Sequence, residues 1–106
     1  MFIKNQDRPR VTMVQGVHRK TFGTTKNMML CEITLEEGAS VPPHRHDNEQ
    51  IGYVVSGILR LTIDGVTEVL QAGDNYAVEA GVEHSARAEK DTVVIDIFHP
   101  QREDYR

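Results

Sequence analysis

The stretch HRHDNEQIGYVVSG, His44 to Gly57, places two histidines one residue apart and sets Glu49 beside Gln50. In an extended chain successive side chains point to opposite faces. His44 and His46 therefore project together, and Arg45 projects away. Two imidazoles on one face are a common way for a β structure to hold a transition metal. On the same parity residues 44, 46 and 50 share a face and Glu49 points outward. A bulge at Asp47-Asn48 would shift the register and bring Glu49 in instead, so both residues stand as candidates for a further ligand. The difference is chemical. A neutral amide leaves the metal's positive charge uncompensated, which makes a stronger Lewis acid and attracts an anion. A carboxylate would write the two-His-one-carboxylate set of many non-haem iron oxygenases.

A second group with chemical potential lies near the end of the chain. VVIDIF is strongly β-prone, yet it carries one acid, Asp96, of a type depleted in strands. Asp96 shares a face with Val94 and Phe98, while Ile95 and Ile97 take the other face. With both faces apolar, Asp96 is expected to be at least half buried. Desolvation then raises its pKa and makes it either a proton carrier or a structural acid paired with an arginine. Arg102 follows just past Pro100, where the chain can fold over the end of a barrel. It is either a solvated tail residue or a fork for a carboxylate.

The elements that must position these groups are strands. No window shows apolar residues at i, i+3, i+4 and i+7 over three turns. MMLCEITL (28–35) places Met29, Cys31, Ile33 and Leu35 on one face, and ILRLTID (58–64) does the same with Leu59, Leu61 and Ile63. IGYVV (51–55), VTEVLQ, NYAVEA and DTVVIDIF (91–98) are further strand-like runs, the last ended by Pro100. Asp64-Gly65 is a two-residue hairpin signal, and turns follow at AGD (72–74) and Gly81. Short strands with turns every 8–12 residues predict an all-β sandwich or barrel. The 106 residues suffice for one domain, spanning 1–106, and leave no room for a second.

Composition narrows the partners. The net charge is -4, and no basic track follows a nucleic-acid backbone, so no nucleic-acid partner is expected. No apolar run approaches the ~20 residues of a membrane span, and MFIKNQDRPR has no apolar core of a signal peptide. Cys31 is the sole cysteine, which excludes an internal disulfide and suits a reducing cytoplasm. It is expected to be a small core residue.

The spacing around the histidines resembles a known frame. Gly38 precedes His44 by five intervening residues, Gln50 follows His46 by three, and Gly57 follows Gln50 by six. This resembles the first cupin motif, G-x5-H-x-H-x3,4-E-x6-G, with Gln50 at the Glu position. After fifteen more residues, Gly73, Gly81 and His84 resemble the second motif, G-x5-P-x-G-x2-H-x3-N, with Glu79 in place of the Pro and Ala88 in place of the Asn. The resemblance implies a double-stranded β-helix, the jelly-roll barrel. It also implies one divalent transition metal held by His44, His46, Gln50 and His84. Ligand type does not choose among Zn, Ni, Mn, Fe and Cu.

The ending IDIFHPQRED is similar to that of small cupins of the KdgF type, which open 4,5-unsaturated uronates in pectin and alginate breakdown. The likeness implies catalytic roles for Asp96 and Arg102 and substrate contacts from Phe98 and Arg102. It also implies a small anionic substrate that becomes a linear 5-keto-4-deoxyuronate. An Fe(II)-dependent cupin dioxygenase, a small-molecule-binding cupin without catalysis and a barrel without metal stay open as alternatives.

The remaining histidines and aromatics point elsewhere. His18 is expected at the surface or an interface, and His99, beside Phe98 but on the opposite face, is not assigned to the metal. Tyr53 and Tyr76 are expected in the core or at an interface rather than in catalysis, and Met28, Met29 and Phe22 along the barrel or a contact between chains. Ile51, Tyr53 and Val55, opposite Gln50, mark an apolar side that a homodimer would cover.

Overall fold

The computed structural model describes residues 1–106. Ten strands carry the fold: β1 (Val11–Val14), β2 (Val17–Thr24), β3 (Met29–Leu35), β4 (Ser40–His44), β5 (Glu49–Ser56), β6 (Ile58–Ile63), β7 (Val66–Gln71), β8 (Asn75–Val78), β9 (His84–Ala88) and β10 (Thr92–His99). Short 3-10 turns at Asn5–Asp7 and Glu103–Tyr105 are the only helical segments. No helix is long and apolar enough to cross a membrane. A six-stranded sheet runs in the order β1-β2-β3-β10-β5-β8, and a four-stranded sheet in the order β4-β9-β6-β7. All the pairings are antiparallel. This is the jelly-roll barrel that the strand pattern and the motif spacing predict.

Alternation builds the core. Met29, Cys31, Ile33 and Leu35 all turn inward from β3, as their spacing requires, and Leu59 and Leu61 do so from β6. Val54, Val94, Phe98, Val78 and Ala88 complete the packing between the sheets. Burial pushes the Cys31 thiol up to about 11, which leaves it a neutral core group. At the hairpin between β6 and β7, Asp64 and Gly65 adopt φ of 50° and 79°, and Ile63 pairs with Val66. Those left-handed angles are what a two-residue hairpin loop of this kind needs.

Three elements depart from the periodicity reading. β4 (SVPPH) and β9 (HSARA) carry no apolar alternation, and the pattern does not announce them. β4 is an edge strand, where Pro42 and Pro43 omit no ladder bond that the sheet needs. The third departure is β2, where Val17, Arg19 and Thr21 turn inward and His18, Lys20 and Phe22 take the other side. His18 is not a free surface group. Its ring lies between the Thr12 hydroxyl at 3.0 Å and the Glu36 carboxylate at 2.8 Å.

Gly52 is the place where the fold admits no side chain. A Cβ there would collide with the ring and hydroxyl of Tyr76 on the neighbouring strand β8. The missing side chain lets the Tyr76 ring cross β5 and reach β10. G52A is therefore expected to destabilise the protein by about 1–3 kcal/mol through overpacking. A fall in the urea midpoint at unchanged m-value checks it. An unchanged midpoint would show that Tyr76 has room to move aside.

Candidate functional site

His44 closes β4, and its cross-strand partner on β9 is His84, so the ladder itself brings these two rings together. His46 lies beyond the strand, in the loop before β5. The backbone N–H of Gly81 donates to the carbonyl of His46 at 2.8 Å and ties that loop to the turn before His84. The three ring centroids are 4.2 to 5.6 Å apart, and one ligand atom from each ring falls within 4.8 Å of the others.

Hydrogen bonds settle which nitrogens face inward. Nδ1 of His44 lies 3.0 Å from the carbonyl of Pro42. Nδ1 of His46 lies 2.9 Å from that of Asn48, and Nδ1 of His84 2.9 Å from that of Val82. A carbonyl oxygen can only accept, so each Nδ1 carries the ring proton and each Nε2 presents a lone pair. Nε2 of His84 is buried and has no hydrogen-bond partner. Burial pushes the His84 pKa down to about 4 and also lowers that of His46, so both rings are neutral at pH 7. Three convergent imidazoles, oriented by backbone carbonyls and with one orphaned nitrogen, fit a divalent transition metal.

Gln50 and Glu49 are now separated by position. The parity argument assumed one regular strand from 44 to 50, but residues 45–48 are not strand. β5 restarts the alternation at Glu49, with Glu49 exposed and Gln50 buried. Glu49 lies on the outer face, 3.7 Å from His99. Oε1 of Gln50 sits 3.2 Å from Nε2 of His46, which places two lone pairs face to face. A cation shared by both atoms makes such an approach favourable.

The other half of the Gln50 amide points to β10. The Gln50 amide is a neighbour that lowers the Asp96 pKa, and the Tyr76 hydroxyl donates to Oδ1 of the same carboxylate at 2.7 Å. Asp96 is 5% exposed. Burial raises its pKa, against the opposing pull of those two donors and of Arg102. Tyr76 was expected in the core or at an interface. It is buried, but it also lines the cavity and holds Asp96. Its hydroxyl stays protonated, since burial and the adjoining carboxylate push its pKa up.

A cavity with about 530 Å³ of empty space, mouth included, is lined by His44, Gln50, His84, Tyr76, Asp96, Phe98, Arg102 and Tyr105. Phe98 pairs with Gln50 across the ladder, and its ring lies edge-on to His46 at 5.9 Å. Arg102 is no solvated tail residue. Its side chain is 12% exposed, with the guanidinium 5.4 Å from the centre of the Phe98 ring and 3.9 Å from that of Tyr105. Its Nε and one Nη donate to Asp104 at 3.2 and 2.7 Å. Tyr105 and Asp104 gave no sign in the sequence beyond lying in a charged tail. Asn48 gave none either, although its side chain donates to the carbonyls of Pro100 and Gln101 and anchors the C-terminal segment against the histidine loop.

Comparison with known proteins agrees with this architecture. The family model described as "Cupin domain" matches residues 31–98. The pectin degradation protein KdgF of Dickeya dadantii (strain 3937) is 31% identical over 103 residues, covering 95% of this chain and 94% of its own. Two solved structures superpose closely. KdgF from a Halomonas species has a TM-score of 0.94 at 32% identity, with 100% and 98% of the two chains covered. An RmlC-like cupin from Shewanella frigidimarina has a TM-score of 0.95 at 32% identity, with 99% and 95% covered. By its motifs, its barrel and these relatives, the chain belongs to the cupin family.

Proposed function

We propose that the chain is a metal-dependent enzyme that opens the ring of a 4,5-unsaturated uronate to the linear 5-keto-4-deoxyuronate. One observation carries the proposal. A single cavity joins the Nε2 cluster, through the Gln50 amide, to a buried carboxylate, and sets a guanidinium at its mouth. The similarity to a pectin degradation protein over nearly the whole chain supports this substrate class.

His44, His46 and His84, with Oε1 of Gln50, would hold the metal. When bound, a divalent ion there supplies Lewis-acid polarisation of a substrate oxygen. The chain's own side chains do the rest. Arg102 receives the uronate carboxylate on the N–H groups that Asp104 leaves free, and Phe98 packs against the ring. In the reaction a proton leaves the hydroxyl on C1 and the bond from C1 to the ring oxygen breaks. The enolate formed at C5 then takes that proton at C4, which leaves the 5-keto group. Substrate and product are isomers, so no oxidant and no water are consumed. Asp96 carries the proton between the two positions, a task suited to a carboxyl whose pKa burial has raised. Tyr76 and Gln50 keep the carboxyl aimed into the cavity.

The proposal includes a homodimer. Ile51, Tyr53 and Val55 project from the outer face of β5 at 59, 50 and 47% exposure, and Met28 stands near this strip. A second copy of the chain would cover this apolar surface.

Protein purified without a histidine tag is expected to carry about one divalent transition metal per chain, and H84A to lose most of it. Elemental analysis reads the content, and added metal should raise Tm in the stripped wild type but not in H84A. A stripped wild type whose Tm ignores every divalent metal removes the ion from the mechanism. In D96N, loss of the unsaturated chromophore at the ultraviolet maximum should slow by about 100-fold or more, with metal content unchanged. Full activity there would remove Asp96 from the reaction. Sedimentation should give twice the chain mass for wild type and the single-chain mass for Y53D. A wild-type monomer refutes the dimer.

A further inference from the structure

Arg19 is a buried cation that the mechanism above does not use. It turns inward from β2 and is 9% exposed. Its Nε donates to the Thr21 hydroxyl at 3.2 Å. No carboxylate lies within 4.0 Å of it, whereas Arg45, Arg60, Lys90, Arg102 and Arg106 each have one. A guanidinium removed from water without a counter-ion is costly, and such groups are kept where a charge is needed.

Its surroundings show where that charge acts. The Arg19 guanidinium lies 4.5 Å from the centre of the Tyr105 ring, the same ring that Arg102 meets at 3.9 Å. Tyr105 is fixed there by its backbone carbonyl, which accepts from the Thr21 hydroxyl, and by the edge-on Phe98 ring at 5.6 Å. Two guanidiniums thus share one aromatic ring. Arg102 and Tyr105 line the cavity, and Arg19 does not. Asp104 bonds Arg102, and against desolvation the field of both arginines helps to hold its pKa down. Arg106 and Glu103 pair with each other. The cluster of Arg19, Arg102 and Asp104 is left with two positive charges and one negative. An anionic group that enters the cavity would meet Arg102, with the charge of Arg19 added to its own.

We infer that Arg19 is a specificity-determining residue. Through the shared Tyr105 ring and through its charge, Arg19 supports Arg102 as the site for a ligand carboxylate in the cavity. Resting on the reading of the cavity as a uronate site, this assigns the preference for an acid over a neutral sugar to β2 as well as to the C-terminal turn. Arg19 does not touch the reacting atoms. Its charge adds to the potential at the Arg102 fork, and its stacking holds the Tyr105 ring on which Arg102 rests.

Calorimetric titration with D-galacturonate and D-galactose, which differ in the carboxylate, tests the inference on the metal-loaded protein. Wild type should prefer galacturonate. R19Q, which keeps a donor for Thr21 and removes the charge, should weaken galacturonate binding by about tenfold and leave galactose unchanged. R19K should stay within about threefold of wild type, and Y105L should behave like R19Q. Wild-type protein that fails to prefer the acid overturns the inference. So does R19Q with wild-type affinity, or R19Q that loses both sugars equally. Binding is read without turnover, so the outcomes separate. Discrimination by Arg19 without ring opening refutes the proposed reaction alone, and ring opening with an unchanged KM in R19Q refutes the role of Arg19 alone.

Discussion

A carboxylate enclosed in a β-sheet must find hydrogen-bond donors or give up its charge, and the way Asp96 is satisfied organises the whole site. β10 lies between β3 and β5 in the six-stranded sheet, so Asp96 is flanked by Cys31 and Gly52, neither of which can donate strongly to it. Its donors come from one residue further along β5 and from the next strand. The Tyr76 hydroxyl reaches it by crossing Gly52, and the Gln50 amide reaches it from two residues along β5. Glycine at 52 is thus a consequence of the acid at 96.

The same constraint answers the choice between acid and amide at position 50. An ionised carboxylate only accepts, and a second one facing Asp96 would leave two negative charges side by side. An amide has one end of each kind. Gln50 lies beside Asp96 and sets Oε1 3.2 Å from Nε2 of His46. The imidazoles are aligned from outside, each through a carbonyl two residues away in the chain. In the proposed enzyme, metal ligation and proton transfer would be linked through one amide. A change of charge at Asp96 would be felt at the oxygen that faces the histidines.

How much of this was legible in the sequence follows from how local each interaction is. Strands β3, β6 and β10 could be read because each is long enough to show its own alternation, and β7 because it follows the Asp64-Gly65 hairpin signal. The inward turn of Gln50 was anticipated for a reason that does not hold. A single regular strand from 44 to 50 does not exist, and the alternation restarts at Glu49. The separation of His46 from Gln50 nonetheless came out even, because the loop 45–48 and the restart offset each other. Tyr76 could not be read as a site residue. NYAV alternates, but nothing in four residues shows that the ring crosses a glycine 24 positions earlier to meet an acid 20 positions later. Arg19 was hidden by a rule that usually works. VHRKTF shows no apolar alternation, yet its buried face is Val17, Arg19 and Thr21. Hydropathy cannot flag an arginine whose burial is offset by a tyrosine 86 residues away.

The two halves of the site differ in how firmly they are held. Asp96 and Phe98 sit on the strand with neighbours on both sides, and the backbone there opens only with the sheet. Arg102, Asp104 and Tyr105 lie beyond β10 in a turn held by side chains: Asn48 on the backbone of residues 100 and 101, Thr21 on residue 105, and two guanidiniums on one ring. Such a turn can lift without disturbing the sheet. The proposed reaction needs both properties. A proton carrier at Asp96 must keep its aim to a fraction of an ångström, and a fork at Arg102 must yield enough to admit the ring and release the product. Placing the acid within the sheet and Arg102 on its trailing segment would let a barrel this small meet both demands, with Phe98 marking the boundary between the two halves.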